Sequence, residues 1–263
     1  MPTRTVATDF DRISPEYDAT RSPLDGATLD GLARVFRDHG VTRLLEVGVG
    51  TGRIAVPLGE RGFDITGLDA SRGMMALARM KGVRRLVRGS AYRLPFRDGA
   101  FDATLLVHVL HLLDEPPTAL HEADRVGRAG AFALVHPRAG PGATSGPNAW
   151  DEGRRAVYRA LAREGIPPPA HSGGPRVRER LVLDLLPPDE LIVLSDREVT
   201  EPLASILPMF ERRASRHVLN VPPETLARAI TAARAELGDR TFTFRRTEAV
   251  AIWSRRRRVR KRR

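Results

Sequence analysis

The chain has 263 residues, no cysteine and a formal net charge of +11. That length suits one domain with an insertion and is enough to bury a sizeable core, while the lack of cysteine excludes disulfides, a thiol nucleophile and a cysteine metal site. The charge is uneven: eight basic residues stand among the last nine, Arg255 to Arg263, so the remainder is only mildly basic.

Residues 1–24 are polar and read as an N-terminal cap segment. Asp9, Asp11 and Glu16, with no apolar h-region, argue against a signal peptide. The longest strongly apolar run, Ala103 to Leu113, is interrupted by His108 and His111 and is too short to span a bilayer. No membrane insertion is expected, and the default setting is cytoplasmic. Asp25 to Asp38 carries an apolar stripe of Leu29, Leu32, Ala33, Val35 and Phe36 and predicts a helix that stops at Gly40. Val41 to Val47 predicts the first strand.

The chain is organised around the stretch that follows, Leu44-Leu45-Glu46-Val47-Gly48-Val49-Gly50-Thr51-Gly52. It reads as a buried strand, a tight turn and a helix N-terminus, with Arg53 to Arg61 as the helix. Glycines let backbone approach a ligand closely, and the C-terminal end of a strand is where open α/β sheets bind ligands. A dinucleotide fingerprint needs its third glycine three positions after the second. Arg53 stands there, which disfavours a nicotinamide dehydrogenase. The pattern Glu46-x-Gly48-x-Gly50-x-Gly52 resembles the first motif of class I S-adenosylmethionine (SAM)-dependent methyltransferases. The wider stretch is similar to their small-molecule, type 11 branch, the ubiquinone/menaquinone-methyltransferase-like group. The bland alternative is a structural turn with no ligand.

Phe63 to Asp69 predicts the second strand, ending in an acid seventeen residues after Gly52. A carboxylate there can accept hydrogen bonds from both ribose hydroxyls of an adenosine; it could instead serve the N-terminus of the helix read from Ser71 to Met80. Val83 to Arg88 is a short third strand. In Gly89-Ser90-Ala91-Tyr92-Arg93-Leu94-Pro95-Phe96 the family pattern has Asp where Ser90 stands, so adenine recognition would fall to a hydroxyl or to the backbone near Ala91. Phe101 to Val107 is the fourth strand and runs into His108-Val109-Leu110-His111. The two histidines lack the Glu and third ligand of zinc signatures, and no metal is expected. A helix over Glu115 to Val126 and a fifth strand over Gly130 to His136 complete an alternation that argues a parallel sheet with helices on both faces.

Residues 137–190 break the alternation with two Gly/Pro-rich loops, an amphipathic helix over Trp150 to Glu164, and a stretch of mixed charge and leucine over Arg176 to Leu186. They read as a substrate-cap insertion, with Trp150, Tyr158 and His171 as pocket residues or, for Trp150, simply core. Leu191 to Thr200 predicts a sixth strand, and Glu201 to Arg216 and Pro223 to Leu237 predict helices. Thr241 to Trp253 is β-rich. The resemblance implies that it is a seventh, antiparallel strand inserted beside the fifth. The expected fold is therefore α/β, Rossmann-like, with a seven-stranded mostly parallel sheet. Its parts are a SAM-binding core over 25–136, the insertion, a return to the sheet over 191–254, and a disordered basic tail over 255–263.

The resemblance further implies SAM as cofactor, S-adenosylhomocysteine as product and a small-molecule acceptor. It places Tyr17, Arg21, Glu46, Gly48, Gly50, Gly52, Asp69, Ala70, Ser90, Ala91 and Val107 at the cofactor, with Arg21 meeting its carboxylate. His108 is the best-placed general base if the acceptor must lose a proton, with His111 and His136 behind it. Two rivals stand beside this reading. One is an RNA- or protein-directed methyltransferase guided by the tail, which otherwise binds polyanions weakly and without specificity. The other is a SAM- or nucleoside-binding protein without chemistry.

Overall fold

The computed structural model describes residues 6–21, 23–135, 148–168 and 174–254. Its strands are β1 (Arg43–Val47), β2 (Asp64–Asp69), β3 (Arg85–Arg88), β4 (Ala103–Val107), β5 (Ala131–Val135), β6 (Glu190–Pro202) and β7 (Thr241–Trp253). They form one sheet in the order β3-β2-β1-β4-β5-β7-β6. β1 to β5 pair in parallel, and β7 runs antiparallel to both β5 and β6. The order reverses between β1 and β4, which opens the crevice where doubly wound sheets hold ligands.

β1, β4 and β5 are apolar along nearly their whole length because both their faces are covered. On one face lie α2 (Gly26–Asp38), α3 (Ala55–Glu60) and a core containing Phe36, Leu44, Leu58 and Phe132. On the other lie α5 (Pro116–Val126), α7 (Gly174–Leu185) and a core containing Leu45, Leu106, Leu120 and Val182. α4 (Arg72–Met80) follows β2. Side-chain caps start two of these helices: Asp25 accepts from Thr28 N–H at α2, and Ser71 from Met74 N–H at α4.

Two segments depart from the sequence reading. The polar N-terminal segment is a helix, α1 (Val6–Tyr17). Its apolar stripe is narrow, with Phe10, Ile13 and Tyr17 packed against Met74 and Leu219. Glu201 to Arg216 is not one helix. β6 runs on to Pro202, which pairs with Thr241, because β7 extends far enough to keep a partner beside it. A 3₁₀ turn (Leu203–Ile206) and a short helix, α8 (Leu207–Glu211), follow, and the chain then bends at Arg213, where φ is +52°.

α6 (Ala149–Arg163) shares one core with residues 203–221 and with α9 (Pro223–Leu237), built on Val157, Leu161, Ile206, Phe210, Leu226 and Ile230. The helical layer beside the sheet is thus assembled from both sides of β6 in sequence. α1 ties it to the core. Arg12 donates to Asn220 Oδ1 and to the Leu219 carbonyl, and Arg212 pairs with Glu16 at 2.9 Å. His136 and His171 lie outside the described residues, as do the tail and much of the region read as insertion loops.

Candidate functional site

The turn after β1 is built from three left-handed glycines, Gly48, Gly50 and Gly52, with φ of +78°, +55° and +80°. Gly48 could not be another residue, because a Cβ there would lie 2.4 Å from Val109 Cγ2. At Gly50 the situation is opposite: nothing lies within 4 Å of its Cβ position, so its bare backbone borders open space.

Asp69, at the C-terminal end of β2, closes the other side of that space. Its Oδ2 accepts the Gly50 N–H and its Oδ1 the Ser71 N–H, each at 2.8 Å. Burial holds its carboxyl above the ordinary range, against the pull of those backbone donors. Glu46, fully inside β1, is raised much further, first by burial and then by the Asp69 charge; the Ala55 N–H at the start of α3 partly counters this. One of its oxygens, Oε2, is buried without a hydrogen-bond partner. A buried carboxylate with a spare acceptor beside an open glycine backbone is an environment that lacks a donor or a cation.

The N-terminal segment reaches this turn. Asp18 accepts from the Thr51 hydroxyl at 2.6 Å and pairs with Lys81. Asp11 accepts from the Ser71 hydroxyl at 2.6 Å and from Gly73 N–H at 2.8 Å, so that α1 caps α4 from outside. The sequence reading gives Asp11 and Thr51 no role at the site; their contacts depend on a helix that the polar composition hid.

The residues matched by the model of a family described as a methyltransferase domain are 45–135, from the middle of β1 to the end of β5. Over those residues the chain is similar to a methyltransferase domain. The demethylmenaquinone methyltransferase of Renibacterium salmoninarum is 36% identical over 149 residues, covering 52% of this chain and 61% of the relative. The malonyl-(acyl-carrier protein) O-methyltransferase of Serratia marcescens is 30% identical over 159 residues, covering 59% of this chain and 62% of the relative. The chain therefore spans about three fifths of the length of these relatives. The YcgJ protein of Bacillus subtilis has the same fold, with a TM-score of 0.52 over 86% of this chain and 98% of that one, at 17% identity.

The other residues of the matched region that were named from sequence lie at or after the C-terminal ends of β2, β3 and β4. Ala70 follows Asp69, and its carbonyl accepts from Arg88 at 3.2 Å. Ser90 is exposed just after β3, and its hydroxyl accepts from Tyr92 N–H at 3.2 Å. Ala91 is half-buried against the sheet. The Leu94-Pro95-Phe96 segment is pinned by Arg125, which donates to the carbonyls of Leu94 and Phe96 while pairing with Glu122 and Asp98. Val107 is buried at the end of β4.

His108 comes next and is half-buried with φ of +52°, a left-handed conformation that costs a non-glycine residue of order 1–3 kcal/mol. The strain aims the chain so that Val109 packs over Gly48. His111 lies in the 3₁₀ turn Leu110–Leu112, against which α7 packs. Among the described residues, no cluster of three or more His, Asp or Glu side chains is placed to hold a metal ion. No described helix is long and apolar enough to cross a membrane.

Tyr17 and Arg21 are stacked on each other, with the guanidinium 4.8 Å from the ring centroid. Arg21 sits at the edge of a cavity of about 250 Å³ between the N-terminal segment and the helical layer, which Trp150 also lines. Tyr158 is instead packed in the helical core, edge-on to Phe210 and His217. The cavity's other walls, Ser205, Pro208 and Met209, lie in the stretch that sequence reads as an uninterrupted helix.

Proposed function

We propose that this chain transfers a methyl group from SAM to a small-molecule acceptor. The observation that carries this reading is the Asp69 carboxylate fixed across the open backbone of Gly50. Both its oxygens are held by backbone donors, and each keeps acceptor capacity for a ribose hydroxyl. Gly48, Gly50 and Gly52 keep the turn open to the nucleoside. Ala70, Ser90 and Ala91 flank the adenine side, with Ser90 offering a neutral acceptor where the family has an acid. Glu46 offers its unpartnered oxygen to the cofactor's cationic amino group, and Val107 and Tyr17 border the methionine end.

Bound there, SAM would supply an electrophilic methyl group on a sulfonium that is already a good leaving group. The protein's task is then alignment and exclusion of water, worth up to about 7–11 kcal/mol when the geometry is right. α1 serves exclusion, because Asp18 and Asp11 hold it down on the turn and on α4. His108 is the residue to accept a proton from an acceptor that must lose one.

The two relatives carry different acceptors in their names, demethylmenaquinone and malonyl-(acyl-carrier protein), so the shared domain supports the reaction class and leaves the acceptor to the parts outside it. The reading is tested by calorimetric titration with SAM, S-adenosylhomocysteine and, as control, NAD. Micromolar binding of the first two and none of NAD is expected. A folded protein that binds neither SAM nor its product would refute it.

A further inference from the structure

Edge strands present unpaired backbone N–H and C=O groups, and folded chains normally guard them with charge, proline or bulges. β6 is the last strand of the sheet and pairs with β7 on one side. It is guarded along only part of its length. Asp196, Arg197, Glu198 and Glu201 stand along its second half, with Arg197 paired to Asp25 and Asp196 to Arg245. Between the halves the ladder slips: Val193 faces Ala249 and Ser195 faces Glu248, so Leu194 is an extra, bulged residue. The first half, Leu191-Ile192-Val193-Leu194, carries no charge.

The unguarded half lies where the surface is apolar. Among the described residues five large apolar side chains are exposed, and four of them gather here: Leu181 and Leu185 on α7, at 62% and 67%, and Leu191 and Val193 on β6, at 46% and 55%. All four lie on one side of the sheet. Leu191 and Val193 stand opposite Ala251 and Ala249, which belong to the core under α5 and α7, and side chains opposite each other across a ladder share a face. Ile192 and Leu194 turn the other way, against the core under α2. Apolar surface concentrated at an unguarded edge is an association surface.

The charge pattern selects a second copy of this chain as the occupant. Two copies joined antiparallel about a two-fold axis perpendicular to the sheet keep both α7 helices on one side, so that the same patch meets itself. With the axis at Ile192, Leu191 stands opposite Val193 of the second copy and Val193 opposite its Leu191, and no charge faces a like charge. Moving the axis to Val193 sets Glu190 against Asp196, and moving it to Leu194 sets Glu190 against Glu198. Axes at Asp196, Arg197 or Glu198 set each charge against its own copy. Like charges directly opposite are destabilising, so one register is self-complementary and its neighbours toward the charged half are not.

We infer that the edge of β6 is a homodimer interface, in which residues 190–194 of two chains pair antiparallel about Ile192 and continue one sheet through both. Leu181 and Leu185 of each α7 flank the joint on the face that Leu191 and Val193 occupy. β4, β5 and β7 stand between β1 and β6, so the joint leaves the glycine turn untouched and does not depend on what binds there.

The full chain is studied by sedimentation equilibrium from about 1 to about 100 µM, with Val193→Lys and Met80→Lys alongside and a thermal melt of each sample. Met80 is the fifth exposed apolar side chain, at 82%, on α4 beside the β3 edge. We expect the parent to reach twice the mass of one chain, the dimer Kd to rise at least about a hundredfold in Val193→Lys, where an unpaired charge enters the joint, and to stay within about threefold in Met80→Lys. The register is read separately. The chain has no cysteine of its own, so oxidation of Ile192→Cys joins two copies only through that position, which the axis places opposite itself and within disulfide reach. Thr200→Cys, on the charged half of the same strand, should not cross-link. A parent chain that stays single at every concentration overturns the proposal, and so does a dimer that a normally melting Val193→Lys protein retains. Cross-linking through Thr200→Cys and not through Ile192→Cys overturns it as well. The first and last of these results need no lysine variant to fold.

Discussion

Replacing Asp69 with alanine should separate binding from stability. In the free protein the carboxylate satisfies two backbone N–H groups, of Gly50 and Ser71, each at 2.8 Å. Losing them costs about 1 kcal/mol apiece. Against this, the variant no longer buries a carboxylate whose ionised form is disfavoured by its surroundings. The two effects offset, and the melting temperature should move by no more than about 4 °C. With cofactor present the balance changes. Two ribose hydroxyls donating to a carboxylate are worth about 1.5–3 kcal/mol each. Taking the lower end for both, because water competes at a half-open site, gives about 3 kcal/mol, or roughly a hundredfold in Kd. Titration calorimetry with S-adenosylhomocysteine reads the affinity, and a thermal melt of the same sample reads the fold. An Asp69→Ala protein that melts normally and binds within threefold of the parent would refute the ribose assignment and the placement of the nucleoside in this crevice.

Gly50→Val should weaken S-adenosylhomocysteine binding by at least about a hundredfold in the same titration, because a branched side chain would fill the open space and strain a left-handed turn. The Glu46 carboxyl titrates above the ordinary range in the folded chain, so the folded state holds its proton more tightly than the unfolded one. Stability from this group is complete below about pH 4.5 and is lost as pH rises through the folded value. Glu46→Gln should therefore gain stability relative to the parent as pH rises across that window, measured by paired denaturant melts from pH 4 to pH 8; a constant difference would count against the buried charge. Deleting residues 255–263 should leave turnover within about twofold while reducing salt-dependent retention on heparin. Loss of turnover on a small acceptor would instead favour a macromolecular substrate steered by the tail.

The parts of the fold legible in sequence are those where local pattern and burial coincide. The run from Leu44 to Gly52 announces strand, turn and helix because a strand covered on both faces must be apolar and because left-handed turn positions favour glycine. Asp69 was legible by its interval from that turn. β7 was recognisable as β-rich from its residues, but its place beside β5 came from family resemblance, since strand order is a property of long-range pairing. α1 escaped because its buried stripe is only a few residues wide on an otherwise charged helix. The segment 201–216 was misread because apolar residues such as Leu203, Ile206, Leu207 and Phe210 keep helical spacing whether they sit in one helix or in a 3₁₀ turn followed by a short helix. The cavity was the least legible feature of all. Its walls come from residues 19–21, 150 and 205–209, and only tertiary packing brings them together.

That assembly makes α1 the piece that joins the glycine turn to the helical layer. Asp11 and Asp18 fasten it to α4 and to the glycine turn, while Arg12 and Glu16 fasten it to residues 212–220 of the helical layer. Its continuation, residues 19–21, is cavity wall. Most of these fastenings are single hydrogen bonds or exposed ion pairs, worth about 0–1.5 kcal/mol each, whereas the sheet beneath is held by two continuous apolar cores. Release of α1 would therefore cost far less than disturbing the sheet, and the sheet would stay intact.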